Sequence, residues 1–164
     1  MMNKDTLLAF MITCYLVPIC YVYFTYNSNT SVSNIICNDD CKHYILFFML
    51  LMGIGTLLYE FERNDTYSKI TIGILLIGIY GLIYVNEKNK MHYIFAGLAF
   101  TAILFFMIRH CYVIGCNSIL LSSLILEILV LFIILSNINE NIFYGEIAYI
   151  LNFAFYYLYL HFIE

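Results

Sequence analysis

Three polar side chains interrupt long apolar runs of this chain. Glu127 falls near the middle of the run 117–136, Asn152 near the middle of 143–163, and Thr101 near the middle of 92–109. Polar and ionisable groups inside a bilayer are costly to place there, which makes each of them a candidate for function. Gathered at one depth, they would form a midplane site for a proton or a small ligand. The structural alternative is a hydrogen bond between helices, made by a neutral Glu127 carboxyl. A second group collects at an edge. His92 opens one apolar run, Glu146 lies one turn inside another, and Asp39, Asp40 and His43 stand at the start of a third. An imidazole and a carboxylate at equal depth form a charge-assisted hydrogen bond whose titration senses pH. The alternative is a set of solvated interfacial side chains.

Other chemistries find less support in the spacing. The chain has four His, and six-span haem proteins of the ferrireductase type use two histidine pairs. His92 and His110 lie 18 residues apart on one run, about 27 Å at about 1.5 Å per residue. Both therefore belong at membrane borders, whereas haem ligands sit well inside a bundle. His110, Cys111 and Cys116 make at most half of a metal site, and acylation of those thiols is an equal alternative. No nucleophile–base pair or complete metal set can be assembled, so neither an enzyme nor a metal or organic cofactor is expected. Cys37 and Cys41 could bridge in an oxidising compartment. Asn29-Thr30-Ser31 and Asn64-Asp65-Thr66 are glycosylation acceptor patterns.

Helices must position these residues, and composition says which kind. Of 164 residues, 63 % are hydrophobic and 11 % charged, with a mean hydropathy of +0.88. Soluble domains carry about 25 % charged residues. Seven Lys+Arg against eleven Asp+Glu leave no basic face for nucleic acid. A helix needs about 17–25 apolar residues to cross a bilayer, and six runs qualify: 6–26, 43–61, 69–85, 92–109, 117–136 and 143–163. Stretches such as Ile119–Ile134 are apolar on both parities, which excludes a β-barrel. The expected fold is all-α: a polytopic transmembrane bundle of six antiparallel helices in a single domain, 1–164. The first run has no signal-peptidase pattern and is expected to remain as an anchor. Pro18 should kink it, and Gly53, Gly55, Gly73, Gly78 and Gly81 should let backbones approach. Lys4, Arg63, Lys69 and Arg109 fall on the side of the termini, against Lys42, Lys88 and Lys90 opposite. That difference favours cytoplasmic termini.

The run His92-Tyr-Ile-Phe-Ala96-Gly97-Leu-Ala-Phe100 resembles the His-x3-Ala-x3-Phe pattern of the DRAM family, the damage-regulated autophagy modulators. FGF-receptor-activating and post-GPI-attachment proteins belong to the same superfamily. Glu146, the aromatic run Phe153–Tyr159 and the tail ending at Glu164 are similar to that family's last span, and so is the aromatic-to-charged exit Leu57–Arg63. The likeness covers roughly 43–164. The family's Glu is followed by Trp, but here Ile147 follows Glu146 and the chain has no Trp. The resemblance implies a non-enzymatic endomembrane or plasma-membrane protein that modulates autophagy, lysosomal state or membrane-lipid handling, with His92 and Glu146 acting together. Its partners would be membrane lipids or other membrane proteins. Two other expectations stand beside it: a small proton, ion or solute transporter built on Glu127, and a structural protein of a viral envelope or large membrane complex.

Overall fold

The computed structural model describes residues 3–26, 30–37, 39–63, 65–136 and 142–163. Among these all the regular secondary structure is helical: α1 Lys4–Thr25, α2 Val32–Ile36, α3 Asp39–Arg63, α4 Thr66–Tyr84, α5 Lys90–His110, α6 Ser118–Ser136 and α7 Ile142–Ile163. A short π-helical turn, Cys111–Gly115, leaves α5 and ends at Gly115 with φ 91°. The breaks in hydropathy supply the caps. The side chains of Asn3, Asp65, Asn89 and Asn117 accept from backbone N–H groups at the starts of α1, α4, α5 and α6, which satisfies donors a helix start leaves unpaired. The helix α1 runs unbroken through Pro18.

Among the described residues, five helices are long and apolar enough to cross a membrane: α1, residues 41–63 of α3, α4, α5 with the π-helical turn, and α6. The sixth expected span is also a helix, α7, but it is not among the five. Its tyrosines at 144, 149, 156, 157 and 159, with Glu146, Asn152 and His161, dilute its apolar content. The principal pairings are α4 with α5, α1 with α3, and α6 with α7. At the first of these, a Cβ on Gly78 would lie 2.8 Å from the backbone nitrogen of Ala99, and one on Gly81 would strike the Phe95 ring. Gly73, grouped with them by sequence, has nothing within 4 Å. The helix α6 buries only the stripe Leu120, Ser123, Glu127, Val130 and Ile134. Its other faces expose Leu121, Ile125, Leu129 and Phe132, as a helix bathed in lipid does.

Candidate functional site

At one end of the molecule, Glu146 binds α2. Its Oε2 accepts from the backbone N–H groups of Val32 (2.6 Å) and Ser33 (3.3 Å), and its Oε1 accepts from the Ser33 hydroxyl at 3.3 Å. The sequence Ser31-Val32-Ser33 can start a helix there because Ser31 caps it, accepting from the Asn34 N–H. Glu146 lies 6 % exposed, so this five-residue helix is pinned to α7 by three hydrogen bonds to a buried carboxylate. The expected His92–Glu146 pair is not formed. His92 is buried, and its Nδ1 donates to the Val85 carbonyl at 2.7 Å, which ties the start of α5 to the end of α4. The two side chains face different neighbours. Cys37 and Cys41 do not bridge: Cys37 donates to the Leu82 carbonyl at 2.7 Å and Cys41 to the Ile35 carbonyl at 3.1 Å. Asn29, Asn64 and the side chains of Asp39 and Asp40 lie outside the described residues.

The midplane group forms in part. Asn152 Nδ2 donates to Glu127 Oε2 and to the Ser123 carbonyl (2.9 Å), and Ser123 Oγ donates to Asn152 Oδ1 at 2.8 Å. Ser123 and Glu127 are four residues apart on the one buried face of α6, so a single amide from α7 reaches both. Glu127 is wholly buried, and its Oε1 has no hydrogen-bond partner among the described residues. Thr101 is exposed and does not join them.

The opposite end carries polar contacts that the sequence reading did not single out. Tyr157 donates to Glu60 Oε1, a fully buried carboxylate that also meets Arg63 Nη1 at 3.4 Å. The Arg63 guanidinium stands 5.8 Å from the Phe106 ring and 5.9 Å from Tyr157. Beside it, His161 Nε2 contacts the exposed Asp5 Oδ1 at 2.9 Å while Nδ1 contacts the Tyr59 hydroxyl at 2.6 Å. Since a carboxylate only accepts, Nε2–H donates to Asp5. Ser68 Oγ lies 3.0 Å from His110 Nε2, whose Nδ1 donates to the Phe106 carbonyl. These bonds tie α1, α3, α4, α5 and α7 together where the chain would leave the bilayer. One signal was available: Glu60 falls inside the run 43–61, where a carboxylate is unexpected. Cys111 and Cys116, read as half a metal site, are joined as a disulfide.

Between the two ends lies a cavity of about 160 Å³, bounded by α1, α2, α3, α4, α5 and α7. Its wall is almost wholly aliphatic and aromatic, for example Met11, Ile19, Ile45, Leu75, Ile103 and Phe153. Ser33 and Glu146 close it toward α2; Thr56 and Tyr157 lie toward the other end. No group of three or more His, Cys, Asp or Glu side chains among the described residues is placed to hold a metal. Comparison of the chain with protein-family models, curated proteins and solved structures finds no match. The likeness to the DRAM family therefore rests on its short motifs alone.

Proposed function

We propose that this chain is a non-enzymatic multi-pass membrane protein that handles membrane lipids by holding an apolar lipid chain inside its helical domain. The apolar cavity carries this reading, because a hydrocarbon chain makes dispersion contacts all along its aliphatic and aromatic lining. In this proposal α7 is the sixth span, neighbouring spans run antiparallel, and 1–164 is one domain in an endomembrane or the plasma membrane. Its partners are lipids and, through the exposed faces of α6, other membrane proteins. The DRAM-type roles in autophagy or lysosomal state would follow from that lipid handling. The test is to purify the full chain in mild detergent and identify lipids that accompany it. Ala154→Phe and Ile79→Phe, each filling the cavity, should lower the bound lipid at least severalfold while the protein stays monodisperse. Equal lipid in wild type and both variants would end the proposal.

A second reading has one observation in its favour: the unpartnered Oε1 of buried Glu127. A midplane carboxyl that exchanged protons would make the protein a small transporter. Reconstituted vesicles decide it, since Glu127→Gln abolishes proton or cation flux under that reading and leaves flux at background under the first.

A further inference from the structure

Resting on the lipid-cavity reading, we infer that the ligand is an uncharged lipid whose head is a hydroxyl group, a sterol or a long-chain alcohol, bound with that hydroxyl donating to Glu146. The hydrogen-bonding capacity of the wall leads there. Tyr15 donates to the Ile150 carbonyl, Tyr149 to Phe100, Thr56 to Met52, and Tyr157 to Glu60. Every one of these hydroxyl protons is spent within the protein. Among the described residues, no Lys, Arg or His lines the cavity. At the α2 end, the Ser33 proton is directed at Ser31 Oγ and Glu146 Oε1. What remains unspent is acceptor capacity. Glu146 Oε2 takes two N–H donors, whereas Oε1 takes only the Ser33 hydroxyl, and a carboxylate oxygen has room for two. With Glu146 ionised, a carboxylate- or phosphate-headed lipid finds no donor there and sets a second anion against it. An ester or ether head would gain no bond. A hydroxyl donates to Oε1 while its hydrocarbon body fills the apolar wall.

The probe is a diazirine-bearing sterol with a free 3-hydroxyl, cross-linked to the purified full-length chain and mapped by peptide mass. Labelling should fall on cavity-lining segments of α4 or α7. It should weaken on the order of tenfold when the probe is the 3-O-methyl ether, as expected for a lost bond to a charged acceptor. Excess oleyl alcohol should compete and excess oleic acid should not. Labelling by the sterol with competition by oleyl alcohol supports the inference, and absence of labelling overturns it. Equal labelling by sterol and ether, or displacement by oleic acid, overturns the hydroxyl inference and leaves the lipid cavity standing. Labelling that survives in both Ala154→Phe and Ile79→Phe removes the cavity reading itself.

Discussion

Glu146 does more for this structure than any pairing with His92 would have done. It fixes a helix too short to persist alone, since isolated helices under about 12 residues are marginal in water. Glu146→Ala removes three bonds to a buried carboxylate and should destabilise the protein by about 2–4 kcal/mol, read as a lower thermal midpoint in detergent. Glu146→Gln, which keeps an acceptor toward Val32 and Ser33, should lose less. Cys37 reports on the same region. Burial pushes its thiol above the ordinary cysteine range, with Glu87 and Cys41 adding to the effect and Lys42 opposing it. A raised thiol means less thiolate at a given pH, and thiolate is the reactive form. Alkylation of Cys37 at pH 8 should therefore be slower than that of an unfolded cysteine and accelerate as pH rises. In Glu146→Ala it should be faster at every pH; an unchanged rate would mean that Glu146 does not secure α2.

At the scale of elements, the apolar runs located the long helices to within a few residues: 6–26 against Lys4–Thr25, 117–136 against Ser118–Ser136, 143–163 against Ile142–Ile163. Depth along a helix is legible because each residue adds a fixed rise. Rotation about the axis is not, because helices apolar on all sides carry no face signal. Hence Glu127 and Asn152 meet while Thr101 is exposed, and His92 and Glu146 bond to different neighbours. The helix α2 escaped notice because its five residues sit in a polar loop and are ordered by Glu146, more than a hundred positions away. Glycines follow the same rule. Gly78→Ala should cost about 1–3 kcal/mol, because its Cβ meets the Ala99 backbone, which cannot swing aside. Gly73→Ala, facing open space, should be neutral or stabilising by up to about 1 kcal/mol from helix propensity. Thermal melts of the two variants in one detergent check both signs.

For the whole molecule, the number of crossings turns on α7. The hydrogen bond from His161 to Asp5 sets the last turn of α7 beside the first turn of α1, so the start of α1 and the end of α7 belong to one end of the molecule. With six crossings the termini share a side of the membrane; five crossings would separate them unless α7 lay along the surface. A surface helix should expose one polar face, yet α7 buries Glu146 and Tyr156 and exposes Tyr144, Leu151, Phe155 and Phe162, which suits lipid around it. Epitope tags at both ends should be equally accessible in sealed vesicles, and a tag accessible at one end only would remove α7 from the spans. The absolute orientation follows from acceptor mapping. The basic residues favour cytoplasmic termini, while the Cys111–Cys116 disulfide lies at the α5–α6 turn, on the side of those termini, and disulfides belong to oxidising compartments. Glycosylation at Asn29 alone places the α2 end and Glu146 in the lumen, as the DRAM-like topology requires. Glycosylation at Asn64 alone places the disulfide there instead and inverts the protein.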